Sequence, residues 1–446
     1  MKRVLAALVL AVLVWLAPIP RAEAGVERVM SPGGIEAWLV EDHSNPLISL
    51  SLAFRGGAAL DPPGKEGLSF LASGLLDEGA GDLDSEAFQR KLADLAIDFD
   101  FEAESDDFDG SLRTLTLHRD EAFDLLHLAL TRPRFDADPL ARVRGQVLAI
   151  LADQAGDPEH LAGRAWMRLM LADHPYARPL KGTPQSVPSI TAADLHRFAG
   201  QRFARDNLLI AVVGDITPAA LAPLLDRTFG DLPAKASAAV VPKAAPPAAG
   251  GIALIGRDID QSLVYFGESG LKRDDPDYYA AALLDHVMGG GALNSRLGEA
   301  LRERRGLVYS VSTSLVTYDH GGLLFGSLGT KNASVGEAIA ILRGEWRRMA
   351  ETGPTAQEFA DAKTYIIGSY PLNFTSSRNA ASALLALRLD GLPIDYVDRR
   401  VGLFDRVTLA DAARVARRLY RTDSLRFLVV GRPQGVAADL KAPAAE

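Results

Sequence analysis

Cysteine is absent from all 446 residues, which excludes disulfides, thiol nucleophiles and thiolate metal sites in any compartment. Stability must come from burying apolar surface, and a chain of this length has enough of it. Histidine is sparse too. The eight stand at positions 43, 118, 127, 160, 174, 196, 286 and 320, no two within five residues. No imidazole pair one helical turn apart is therefore available to a metal. Basic residues number 48 against 57 acidic ones, a net charge of −9, and no basic stripe offsets this, which argues against a nucleic-acid partner. Apolar runs long enough to cross a bilayer are missing. The longest candidate, Val4 to Leu16, has only 13 residues and is too short to span.

That run belongs to a processing signal. Lys2 and Arg3 precede it, and Ala22-Glu23-Ala24 follows as a small-x-small cleavage site, so residues 1–24 read as a signal peptide. The expectation is an exported, periplasmic chain with no membrane span after cleavage.

Residues 234–251 are rich in alanine and proline and end in Gly250-Gly251, which disfavours a regular helix or a central strand and predicts a semi-extended linker. It divides the chain into 25–233 and 252–440. The two parts look like copies. Thr191 to Gly214 aligns without a gap on Thr408 to Gly431, at a constant offset of 217, pairing Asp194 with Asp411, Phe203 with Tyr420 and Asp206 with Asp423. Each copy reads as an N-capped helix, a polar turn and a buried strand ending at glycine. Alternation predicts strands at 48–54, 97–103, 112–117, 262–266, 307–315 and 322–328. Helical periodicity marks 68–76, 85–95, 119–130, 141–155, 278–288 and 335–351. Strands interleaved with helix pairs predict an α+β layered fold in each half.

Chemistry-bearing motifs are few. Asp77-Glu78 is a carboxylate pair near a helix end and reads as a solvated surface. Ser73 lacks a nucleophile elbow and a visible base. His286 lies in an apolar helix and reads as packed or capping rather than ligating. Gly289-Gly290-Gly291 is followed by no Lys-Ser/Thr and has no dinucleotide-fold spacing, so it is no phosphate loop; it permits close backbone approach, for packing or for an extended peptide. Residues 294–305 read as a helix burying Leu297 and Leu301, with Gly306 as its C-cap; by spacing alone Arg302 is one of several solvated arginines beside Arg304 and Arg305, and Tyr309 packs in alternation with Leu307 and Val311.

Several segments together resemble one family. These are Arg55-Gly56-Gly57-Ala58, Gly67-Leu68 with its following helix, His174-Pro175-Tyr176, Gly182-Thr183, Asn207-Leu208 to Gly214-Asp215, Ser295-Arg296-Leu297 and Arg302 to Tyr309. In order and spacing they resemble the pitrilysin/insulinase-type (M16) zinc metallopeptidases, over nearly the whole chain after residue 24. The resemblance implies two homologous α/β-layered domains, each a mixed or antiparallel sheet with helices packed on it.

It also implies where a zinc site should be. The family signature is His-x-x-Glu-His, and placing Gly67-Leu68 on the family's Gly-Leu leaves Phe70, Ser73 and Gly74 at those three positions. The third ligand, a Glu further on, falls at Ile150. No metal ligand remains, so no metal and no cofactor is expected in this chain. The Arg and Tyr that the family's zinc-free half extends toward the metal correspond to Arg302 and Tyr309, donors suited to a substrate carbonyl or a developing oxyanion. Gly289, Gly290 and Gly291 would lie along a bound peptide.

Together these imply a chain inactive alone. It would serve as the non-catalytic, substrate-binding subunit of a heteromeric periplasmic M16-type peptidase, a heterodimer whose His-x-x-Glu-His partner holds the zinc and whose substrate is a peptide. The alternative is a peptide-binding or structural assembly module with no role in proteolysis.

Overall fold

The computed structural model describes residues 25–443 except residue 238; the signal-peptide reading of residues 1–24 lies outside them. Two mixed sheets organise the chain. The first runs β1 (Glu27–Met30), β2 (Glu36–Glu41), β6 (Leu208–Gly214), β3 (Leu47–Arg55), β5 (Asp107–Leu115), β4 (Asp98–Ala103). The second runs β7 (Gly251–Gly256), β11 (Arg426–Gly431), β8 (Gln261–Ser269), β10 (Gly321–Lys331), β9 (Val308–Tyr318). Setting aside β1, the two orders are the same. The β2–β6 pair of the first sheet and the β7–β11 pair of the second are parallel, and every other pairing is antiparallel.

The repeat seen in the sequence is a repeat in space. Before β6 and β11 stand helices capped by matching reciprocal boxes, Thr191 with Asp194 and Thr408 with Asp411, which satisfy otherwise orphaned amides. Gly214 and Gly431 end the strands with φ of +144° and +148°. A Cβ at these points would lie 2.1 Å from the Leu47 carbonyl and 2.3 Å from the Ser262 hydroxyl, so only glycine fits both turns.

The other helices of the first half that bear on function are α1 (Leu68–Ser73), α2 (Ser85–Asp94), α3 (Arg119–Thr131), α4 (Ala137–Gln154) and α5 (Pro158–Leu171). Those of the second are α6 (Tyr278–Asp285), α7 (Val335–Thr352), α8 (Ala356–Ser369) and α9 (Ser377–Leu389). Two of these helices pack on the sheet of the other half. Helix α5 lies on β8 and β11 of the second sheet, and α9 lies on β3 and β6 of the first. Trp166, Leu169 and Met170 of α5 join Ile255, Leu428 and Val430 in one buried cluster; Ala381, Leu384 and Leu385 of α9 join Trp38, Ala53 and Val213 in another. Each sheet is thus completed by a helix from the other half.

Four readings need correction. Gly251, assigned to the linker, opens β7, and the preceding segment is packed: Val241 and Ala244 are buried against α5 and the second sheet. The helix expected across Tyr278–Met288 is α-helical only to Asp285, then widens into a π-type turn over His286–Gly290, where three successive glycines begin. The continuous helix expected over 294–305 is split into a short turn at Ala292–Asn294 and a π-type helix at Gly298–Glu303. Asp77 and Glu78 are half-buried rather than solvated. Gln89 donates to Asp77, Ser85 and Arg142 contact Glu78, and burial raises the Asp77 pKa.

Candidate functional site

Helix α1 is held by its surroundings. Gly67 caps it in the left-handed region at φ +90°, against the Lys181 carbonyl, which would stand 2.7 Å from any Cβ. The buried Asp61 carboxylate accepts the Ser69 amide at 3.2 Å and the Ser69 hydroxyl at 2.6 Å, and burial lifts its pKa to about 6. Arg202 secures the preceding turn by donating to the carbonyls of Gly56 (2.7 Å) and Gly57 (3.2 Å). The frame that would present a metal site is therefore intact.

The positions on that frame carry no ligand. Phe70 is half-buried, with the Lys181 ammonium 5.7 Å from its ring centroid. The buried Ser73 hydroxyl donates to the Phe70 carbonyl at 2.9 Å, within its own helix. Gly74 ends the helix, and a Cβ there would meet Val143 at 3.1 Å. Ile150, on α4, is 38 % exposed. A phenyl ring, a hydroxyl committed to its own backbone, a glycine and an aliphatic chain do not fit zinc. Among the described residues no three His, Asp or Glu side chains gather in metal-binding fashion.

In the second half, Arg302 lies in the last turn of the π-type helix, where Leu301 and the preceding Leu297 are buried, and Gly306 turns the chain at φ +60° into β9. The Arg302 guanidinium carbon sits 5.5 Å from the centre of the Tyr309 ring. Tyr309 is 81 % exposed, so the expected packing alternation holds for Val311 but not for this phenol. The half-buried Arg302 of the helix thus lies against an exposed phenol on β9, the edge strand of its sheet. Of the three glycines, Gly289 is buried with its backbone pressed on Thr313, where a Cβ would come within 2.6 Å. Gly290 is exposed. His286 stacks on Tyr365 at 4.7 Å, and burial lowers its pKa.

Two features escaped the sequence reading. Tyr176 of the His-Pro-Tyr motif joins the halves rather than the site, stacking on Tyr318 at 4.5 Å. A cleft beside α1, between α4, α5 and residues 179–185, is lined by His160, Arg164, Arg168 and Lys181. Its basic residues are scattered from 160 to 181, and only the fold gathers them.

An intact two-sheet peptidase frame with an emptied metal position defines a class: peptidase-like proteins that have kept the architecture without the zinc ligands. The family description "Peptidase M16 inactive domain" matches residues 189–366. The chain is 26% identical over 431 residues to the "Non-peptidase homolog YmxG" of Helicobacter pylori, covering 96% of this chain and 98% of that one. It is 30% identical over 254 residues, 56% of this chain and 55% of the other, to an uncharacterized zinc protease of Streptomyces coelicolor. The crystal structure of a peptidase M16 inactive domain from Pseudomonas fluorescens superposes with a TM-score of 0.85 at 28% identity, covering 94% of this chain and 100% of that one. Over nearly its whole length the chain is thus similar to M16-type proteins of the inactive kind.

Proposed function

We propose that this chain is the non-catalytic, substrate-binding subunit of a heteromeric M16-type zinc peptidase. It is exported to the periplasm and contributes Arg302 and Tyr309 to the His-x-x-Glu-His site of a partner chain, which carries the zinc. The observation that carries this reading is a contrast. The three metal-ligand positions (Phe70, Gly74, Ile150) and the catalytic Glu position (Ser73) are chemically empty, while the Arg302 guanidinium still lies over the ring of the exposed Tyr309 on β9. A half-buried guanidinium, 3.9 Å from the Glu303 carboxylate, and an exposed phenol supply donors to a substrate carbonyl as it gains negative charge, and the edge strand β9 offers backbone groups to an extended peptide.

The test is reconstitution with a partner that has intact His-x-x-Glu-His. Arg302→Ala and Tyr309→Phe are expected to leave assembly intact and lower turnover by about 10²-fold, the usual scale for one oxyanion donor. Unchanged turnover in an intact complex would overturn the donation and leave an assembly module. Proteolysis with stoichiometric zinc in the lone chain would overturn the whole reading.

A further inference from the structure

We infer that the cleft beside α1 is a receptor for peptide carboxylates, so that this subunit selects acidic peptides. The inference rests on the substrate-binding role proposed above and gives it a chemical class. The cleft encloses about 640 Å³ between the C-terminal end of α4, α5 from His160 to Arg168 and the 179–185 loop. Its lining includes Arg164, Arg168, Lys181 and His160 and no aspartate or glutamate. In a chain with a net charge of −9, a carboxylate-free basic hollow is a local reversal of sign.

The cations are not all spoken for. His160 pairs with Asp157 at 2.6 Å. Arg164, by contrast, makes no ion pair or hydrogen bond among the described residues, and its pKa is lowered by burial and by the neighbouring charge of Arg168. Two guanidiniums held together in a partly desolvated hollow repel, and an anion between them removes that cost. Lys181 faces the same hollow with its ammonium over the Phe70 ring, beside the helix where active relatives of this fold would hold their metal. Lys181 supplies positive charge at this end of the cleft.

The walls narrow the ligand class. Leu161 and Leu180 line the hollow with the cations, and its volume far exceeds that of a small inorganic anion. A space of this volume lined by leucines and guanidiniums suits a peptide segment bearing carboxylates, which Arg binds through paired N–H donors.

The carboxylate can come from Glu or Asp side chains or from a free C-terminus, and the test separates them. The purified full chain is titrated, by fluorescence anisotropy, with a labelled peptide ending in Glu-Glu, with its Gln-Gln counterpart and with its C-terminal amide. Binding of the Glu-Glu peptide is expected to weaken at least about tenfold, a free-energy change typical of a lost charge-assisted contact, in the double variant Arg164→Glu/Lys181→Glu. An unchanged unfolding midpoint verifies that this variant is folded. Loss with Gln-Gln assigns the site to side chains, loss with the amide to the C-terminus, and either supports the receptor. Equal binding of all three peptides, or an unaffected double variant, overturns it. The subunit role is read separately, as turnover of the assembled complex with Arg302→Ala, so either proposal can fail alone.

Discussion

The Tyr176 hydroxyl donates to Asp106 Oδ1 at 2.5 Å and accepts the His320 amide at 3.2 Å, so a single phenol ties the β4–β5 hairpin to the β9–β10 turn. The other Asp106 oxygen accepts the Asp319 amide at 3.0 Å, and burial with the Asp106 carboxylate raises the Tyr176 pKa. Removing this hydroxyl strands a half-buried carboxylate and a backbone amide together. Tyr176→Phe is expected to cost about 1–3 kcal/mol, the usual penalty for unsatisfied buried groups, read as a lower midpoint in urea unfolding. A midpoint equal to the parent's would show that water replaces the phenol.

Close by, Asp107 and Asp109 carry pKa values raised to about 8 and about 7, first by burial and then by the carboxylates around them. One oxygen of each has no hydrogen-bond partner. Both groups hold protons in the folded chain that an unfolded aspartate gives up near its ordinary value. Their contribution is therefore full at low pH and is lost as pH rises through the interval from about 4 to about 8. Asp107→Asn, which mimics the protonated form, is expected to raise stability at pH 8 by on the order of 1–2 kcal/mol and to do little at low pH. Denaturant midpoints of parent and variant across that interval check this; parallel curves would contradict it.

Rebuilding the family's motif should not rebuild its metal site. Phe70→His, Ser73→Glu and Gly74→His together restore two imidazoles, but Ile150 still offers only an aliphatic chain, and a Cβ at Gly74 meets Val143 at 3.1 Å. With two histidines and no third protein ligand, zinc binding weaker than about 1 μM is expected by calorimetry. Nanomolar stoichiometric binding would mean that another side chain completes the site.

Arg388 anchors α9 on the first sheet. It donates to the Glu36 carbonyl at 3.1 Å and to that of Ile210, pairs with the Glu36 carboxylate at 3.2 Å, and lies over Trp38 at 5.5 Å. Arg388→Ala leaves these partners without a donor inside an interface, at an expected cost of about 2–4 kcal/mol. Equilibrium unfolding measures it, and an effect below about 0.5 kcal/mol, the range of a surface substitution, would place the anchoring elsewhere.

What could be read from the chain follows from how local each signal is. The Thr191/Asp194 and Thr408/Asp411 boxes span four residues, and the strands after them are nearly continuous apolar runs, so the duplication was plain. Strands β1 and β2 were not, because Glu27, Arg28, Glu36 and Glu41 make them look like loop. Helices α5 and α9 show why periodicity alone falls short: a buried face can be seen, but not that its partner is the sheet of the other half. Asp77 and Glu78 were misjudged because Gln89, Ser85 and Arg142 come from elsewhere in the chain. At the candidate site, the missing ligands were legible residue by residue, while the exposure of Tyr309 and the basic cleft depended on packing.

The reciprocal placement of α5 and α9 has a consequence for each half. Either half alone would expose the sheet face that now takes the other's helix, and would carry a helix with nothing to cover. The body able to satisfy both is a second copy, exchanging helix for helix about a two-fold axis. Within this single polypeptide each half already supplies the helix that the other's sheet needs, so the exchange requires no second chain.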